Sequence, residues 1–371
     1  MCKEKGPFRY DIVGSFLRKP ELKEARAQYG AGTLSAEALR QVEDDCIRVL
    51  VAEEKAAGLQ AVTDGEYRRA FWHLDFLWNL LGVEQVEVAH FSIAFAGHQP
   101  KSQTLKIVDK IDFSENHPFL RDFRFLQSIA GDVTAKQCIP SPTMLHLICC
   151  VREEHYQPIE RYLDEDVLLE DIAVAYQKAI GAFYNAGCRY LQLDDTSWGE
   201  FCSAEKRQVY AARGIDLDVV AKKYVKLLNR VLEAKPDDMI ITMHICRGNF
   251  RSTWFTSGGY EPVAETLFGG CKVDGFFLEY DSERAGGFEP LRFIKEQKVV
   301  LGLITSKSPV LEDKSRVIAR IHDAERYVPL QQLYLSPQCG FASTEEGNIL
   351  TEEEQWAKIS LVKEIAEEVW G

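Results

Sequence analysis

Met239-Ile240-Ile241-Thr242-Met243-His244-Ile245-Cys246-Arg247-Gly248-Asn249-Phe250 decides how this chain is read. Its first half is apolar and β-branched and follows the break Pro236-Asp237-Asp238, so residues 239–246 read as a buried strand. Side chains alternate across a strand, so His244 and Cys246 share a face at its C-terminal end. An imidazole beside a thiolate suits zinc. Alone, the pair equally describes a core histidine beside an inert buried cysteine. What separates the two readings is whether other parts of the chain send ligands to the same place.

Working outward, short apolar strands alternate with helical patterns. Strands are expected at 9–16, 59–66, 136–142 and 189–195 before the central one, and at 273–279, 299–305 and 333–336 after it. Ser35 caps a helix with apolar Leu39, Val42, Cys46 and Val49, stopped by Gly58. A further helix is expected over 71–81. Leu169, Ile172, Tyr176, Ile180 and Phe183 mark another, closed by Gly187, and 216–234 forms the next. Thr351 and Glu354 form a capping box for the last helix, with Ile359, Val362, Ile365 and Val369 facing inward. Residues 82–134 break the rhythm: alternation around Val86 and Val88 suggests a hairpin, and Asn116-His117-Pro118 a turn. This order predicts an α/β fold, a single (β/α)8 TIM barrel forming one domain over 1–371, with an insertion at 82–134 that serves as a hairpin or lid after the second strand.

Composition narrows the function. At 371 residues, 46% hydrophobic and 27% charged, the chain has ample core. A net charge of -13 disfavours a nucleic-acid partner, which needs clustered Lys and Arg. No long apolar run suggests a membrane span, and residues 1–5 lead into no signal-type segment, so the protein is expected in the cytoplasm. The ten cysteines contain no CxxC and read as reduced thiols, mostly small buried hydrophobes.

In such a barrel, chemistry gathers at the C-terminal strand ends. Those ends carry Ser15, Asp64, Glu66, Ser141, Asp194, Asp195, His244, Cys246, Glu279, Lys307 and Cys339. Cys339 follows the eighth strand and Glu279 ends the sixth; with His244 and Cys246 they complete a four-coordinate zinc set. Singly, Cys339 is also a loop thiol and Glu279 a solvated charge. Two thiolates and a carboxylate outweigh the two positive charges of zinc. Such an electron-rich centre polarises carbonyls poorly but keeps a bound thiol deprotonated and nucleophilic, which is alkyl-transfer chemistry. Glu66 and Asp194 are suited to an ammonium, or to salt bridges at the barrel mouth, and the Val13-Gly14-Ser15 turn offers backbone N–H groups to a carboxylate.

These residues resemble the C-terminal catalytic barrel of the cobalamin-independent methionine synthase family. The matching stretches are Ile12-Val13-Gly14-Ser15-Phe16, Asp64-Gly65-Glu66-Tyr67-Arg68-Arg69, Leu191-Gln192-Leu193-Asp194-Asp195, Met243-His244-Ile245-Cys246, Leu278-Glu279 and Ser336-Pro337-Gln338-Cys339-Gly340. The resemblance implies zinc at His244, Cys246, Glu279 and Cys339, and homocysteine contacts through Ser15, Glu66 and Asp194. It implies methyl transfer from 5-methyltetrahydrofolate to the homocysteine thiol, giving methionine. Three features depart from the family. The chain has no room for the second barrel of the full-length enzyme. It reads Leu145-His146-Leu147-Ile148-Cys149-Cys150 where the family's donor pocket carries a tryptophan. It also places Lys307 where the family has a proton-donating histidine. Lys307 is either that acid or a structural bridge to Asp194 or Asp195, and the methyl donor is methylfolate or another compound. The alternative acceptor is a different thiol, such as a coenzyme-M-like compound, which would call for basic residues in place of Glu66 and Asp194.

Overall fold

The computed structural model describes residues 6–87 and 103–371. Val88 of the expected hairpin, Cys2 and residues 1–5 lie outside them. Seven parallel strands form a curled sheet in the order β1 (Ala61–Val62), β4 (Thr134–Pro140), β5 (Tyr190–Asp195), β6 (Ile240–Ile245), β7 (Gly275–Glu279), β8 (Lys298–Ile304) and β9 (Leu333–Pro337). Between β1 and β4 in the chain, β2 (Leu81–Glu87) and β3 (Gln103–Asp112) pair as an antiparallel ribbon. Along β4 to β9 almost every residue is buried, as expected of parallel strands covered on both faces. Each step from β4 to β9 is a crossover to the next strand, so all their C-terminal ends point the same way.

The first expected strand is reduced to a bridge. Tyr10 pairs with Leu335 in parallel, with Asp11 N donating to Leu335 O (3.0 Å) and Leu335 N to Arg9 O (3.0 Å). Beyond it the backbone turns away at Gly14, and Thr63 Oγ1 donates to Gly14 O at 2.6 Å. The second strand is likewise only Ala61–Val62, because Gly65 (φ 63°) and Glu66 (φ 61°) turn into the left-handed region where a strand cannot continue. The helix expected over 71–81 is a single turn, Leu74–Leu77, since Leu81 already belongs to β2.

The described residues of segment 82–134 include two pieces. The ribbon is the first. The second is a helix, Pro118–Ala130, whose start is the Asn116-His117-Pro118 turn: His117 Nδ1 accepts from Phe119 N at 3.3 Å, and proline occupies the first helical turn. Phe119, Leu120, Phe123 and Leu126 bury its inner face, as in an ordinary crossover helix before β4.

The long helices follow their patterns. Ser35 accepts from Ala38 N, although the inward face of Ala36–Ala56 is Leu39, Cys46, Ile47, Leu50 and Val51, and Val49 faces solvent. Glu165–Asn185 buries Leu169, Ile172, Tyr176, Ile180 and Phe183, and Leu217–Leu232 starts on an Asp216 cap. Glu352–Trp370 has both halves of the Thr351–Glu354 capping box. No cysteine among the described residues is in a disulfide. No described helix is long and apolar enough to cross a membrane.

Candidate metal centre and adjoining acidic pocket

Four of the named side chains meet where β6, β7 and β9 end. His244 and Cys246 leave the end of β6, Glu279 is the last residue of β7, and Cys339 follows β9 by two positions. One ligand atom from each lies within 4.8 Å of every other, and all four residues are buried. The two sulfurs are 3.7 Å apart.

Local sequence builds this meeting point. Cys246 N donates to Asp195 O (2.7 Å), carrying the strand pairing one residue past β6. Gly248 N then turns back to donate to Cys246 Sγ (3.3 Å). A side chain at Gly302 would press on Gln338 Cα (2.7 Å) and Leu278 O (2.8 Å), so only a glycine lets the Cys339 loop pass so close to β7 and β8. Asn249 Nδ2 donates to Gly340 O (2.7 Å), tying the loop after β6 to the loop after β9.

Both ring nitrogens of His244 and Oε1 of Glu279 are buried without a hydrogen-bond partner of ordinary geometry. Three polar atoms left so in a protein interior are costly unless something else satisfies them. Two sulfurs, an imidazole and a carboxylate oxygen are the donor set of a zinc site, and the residues present fit one. Without a cation the sulfurs share their protons unevenly. A hydrogen bond from the Cys246 thiol holds Cys339 well below the usual thiol range, and the same contact raises Cys246. Burial pulls His244 down, but the Cys339 sulfur more than reverses this. Only Cys339 is favoured as a thiolate here; Cys246 and His244 hold their protons more firmly, and a bound cation would have to displace them.

A second acidic group lies beside it. Asp194 is the register partner of His244 across β5 and β6. Glu66 and Asp194, with the Cys138 thiol, place ligand atoms within 4.8 Å of one another. Burial pushes Glu66 up to about 8, opposed by Arg69, whose Nη1 lies 3.1 Å from Oε1; Oε2 has no partner. Burial also pushes Asp194 up to about 6, opposed by His244 and by Gln192, whose Nε2 donates to Oδ1 at 2.7 Å. Ser15 sits at the same place: its Oγ accepts from Ala342 N (3.3 Å), and a side chain on Gly340 would overlap it. Arg18 clamps these loops together, donating to the carbonyls of Glu66 (2.8 Å), Arg69 (3.2 Å) and Ala342.

The other strand-end residues divide. Asp195 is used up as a cap, accepting from Ser197 N (2.6 Å), Trp198 N (3.3 Å) and the Ser197 and Thr143 hydroxyls. Asp64 holds its own turn through Glu66 N (2.9 Å), and Ser141 binds Thr143 (2.8 Å). Lys307 is buried and its Nζ has no hydrogen-bond partner. Its charge acts on Glu279, Asp281, Cys246 and Cys339, so it sits on the metal-ligand side and bridges neither Asp194 nor Asp195. At the expected donor pocket, Pro142–His146 runs into a π-helical turn, Leu147–Val151.

Sequence reasoning passed over Arg69, Gln192, Arg18 and Arg284. Two of them carried a signal. Gln192 is two residues from Asp194 on one strand face, and Arg69 is three from Glu66. Arg18 and Arg284 act through contacts that spacing does not reveal.

The family model for the cobalamin-independent synthase catalytic domain matches residues 156–367. The uncharacterised protein YxjG of Bacillus subtilis is 51% identical over 370 residues, 99% of this chain and 96% of its own. A methionine synthase of Saccharolobus solfataricus is 24% identical over 89% of this chain and 86% of its own. A solved structure from Listeria monocytogenes, described as a candidate vitamin-B12-independent methionine synthase, matches with a TM-score of 0.78 at 45% identity, covering 98% of each chain.

Proposed function

The chain belongs to the cobalamin-independent synthase catalytic-domain family, and from that premise we propose that it is a zinc-dependent methyltransferase making methionine from homocysteine, with 5-methyltetrahydrofolate or another compound as methyl donor. The observation that carries this reading is the convergence of His244, Cys246, Glu279 and Cys339, from three strand ends, to within 4.8 Å. We read the fold as a single (β/α)8 barrel domain in which the segment around Tyr10 completes the ring between β9 and β1. The β2–β3 ribbon is then an elaboration at its edge.

His244, Cys246, Glu279 and Cys339 would hold the zinc. When bound there, zinc supplies a site that keeps a substrate thiol ionised yet nucleophilic near neutral pH. The remaining work falls to the chain. Glu66 and Asp194 receive the ammonium of the amino acid, which restores the charge that burial suppresses in both. The Gly14–Ser15 turn takes the carboxylate through backbone N–H groups, and Ser15 borders the same space. Arg18, Arg69 and Gln192 hold these groups in place. In the reaction a carbon–sulfur bond forms as the carbon–nitrogen bond of the donor breaks. The departing nitrogen takes a proton, and in this reading Lys307 gives it.

The test is to incubate zinc-loaded protein with homocysteine and, separately, mono- and polyglutamyl methylfolate, methylcobalamin and S-methylmethionine. Methionine is the expected product with at least one donor. Alkylation of a sulfonate thiol with no methionine formed would move the assignment to the coenzyme-M-like acceptor.

A further inference from the structure

The charge of Lys307 reaches Glu279 and both sulfurs, but Glu279 differs from the other three members of its set in being paired directly with a guanidinium. Its Oε2 accepts from Arg284 Nη2 at 3.2 Å, while Oε1 is unpartnered. Glu279 is fully buried and the Arg284 side chain is 8% exposed, so this is an interior pair. The guanidinium is fixed from other sides as well. Nη2 also donates to Asp281 Oδ1 (2.9 Å) and Nε to Ser282 Oγ (3.0 Å). Its Cζ lies over the ring of Trp254, 4.9 Å from the centroid, on the loop after β6. The Arg284 carbonyl accepts from Gly258 N (2.9 Å) on that same loop. Arg284, on the loop after β7, is thus also anchored to the loop after β6, and its Nη1 is a buried donor without a partner.

Resting on the zinc reading above, we propose that Arg284 is a positioning residue that makes Glu279 the exchangeable ligand and holds its carboxylate once a substrate thiol has taken its place. The physical reason is charge. A carboxylate shared with a guanidinium donates less electron density to a cation than a free one does, so it is the weakest of the four ligands. A carboxylate released inside the protein with no partner would be an uncompensated buried charge, which is strongly unfavourable. Arg284 removes that obstacle, because Nη1 and Nη2 together present the two-pronged donor geometry that a carboxylate accepts. Neither sulfur nor His244 is bonded to a guanidinium; Cys246 Sγ accepts only from the backbone Gly248 N (3.3 Å), so exchange is directed to Glu279.

This predicts effects of opposite sign. Arg284→Gln should bind zinc about tenfold more tightly than wild type, measured against a chromophoric chelator without substrate. The zinc-loaded variant should bind homocysteine about tenfold more weakly, measured calorimetrically. Arg284→Lys keeps a cation against Asp281, so it guards against a failure to fold, and should lie between the two in both measurements. If Arg284 merely orients Glu279 or supports the fold, zinc and homocysteine affinities fall together in both variants, and the proposal is overturned. A wild-type protein that binds no zinc overturns the functional reading itself, and this inference with it. Wild-type zinc binding with unchanged homocysteine affinity in both variants overturns the inference alone.

Discussion

Glu66 and Asp194 are the residues whose chemistry depends most on what is bound. Free of ligand, burial raises their pKa to about 8 and about 6, so at neutral pH Glu66 is mainly protonated. An ammonium favours the ionised forms, so binding expels a proton, and affinity must rise as pH climbs through this range. Methionine, which shares the amino-acid end and lacks an ionisable thiol, should bind more tightly at pH 8.5 than at pH 5.5, gaining at most about tenfold per unit for each group. Glu66→Gln should remove the upper part of that rise and leave the lower. A flat profile in the wild type would show that the ammonium lies elsewhere. Lys307 is the other residue with a specific expectation. Its Nζ is buried and has no hydrogen-bond partner. Lys307→Ala should cut turnover with methylfolate by roughly a hundred- to ten-thousandfold, and far less with S-methylmethionine, whose leaving thioether needs no proton. Equal losses with both donors would mean that Lys307 positions rather than protonates. The ligand-type residues were legible in sequence because strand alternation puts His244 beside Cys246 and because Glu279 and Cys339 lie at the C-terminal ends of other strands in the same series. The residues that tune them were less so. Arg284 reaches Glu279 through a turn whose geometry no periodicity encodes.

At the scale of elements, the long helices and central strands were readable and the short pieces were not. Glu165–Asn185 and Leu217–Leu232 repeat their apolar residues over many turns, and each begins at an aspartate cap. Pro20–Gly30 buries only Leu22 and Ala25, too little to make a pattern. Two expected strands shrank because Gly14, Gly65 and Glu66 turn the backbone out of the sheet, and those turns are what deliver Ser15 and Glu66 to the pocket. The local rule gives way where the site needs an irregular chain. The capping box of the last helix offers a control remote from that site. Thr351 accepts from Glu354 N (3.2 Å), and Glu354 accepts from Thr351 N (2.8 Å). Thr351→Ala should lower stability by about 1 kcal/mol in denaturant titration, with zinc content unchanged. A loss of zinc in that variant would mean that the helix start and the centre are coupled in a way these contacts do not explain.

Across the whole molecule, parallel order brings distant residues together. Cys246 and Cys339 are far apart in sequence, yet their sulfurs lie 3.7 Å apart because β6 and β9 end on the same side of one curled sheet. A cation held by residues from three strand ends would tie the sheet together and should stabilise the native state. At a hundredfold excess over its Kd, zinc should add about 2.7 kcal/mol, seen as a higher Tm than that of the chelated protein. The central claim, that these four residues hold a zinc whose oxygen ligand yields to a thiol, is tested most directly by zinc X-ray absorption with and without homocysteine. The account predicts two sulfurs, one nitrogen and one oxygen at rest, becoming three sulfurs and one nitrogen when homocysteine is added. An unchanged two-sulfur environment in protein shown to bind homocysteine would contradict it.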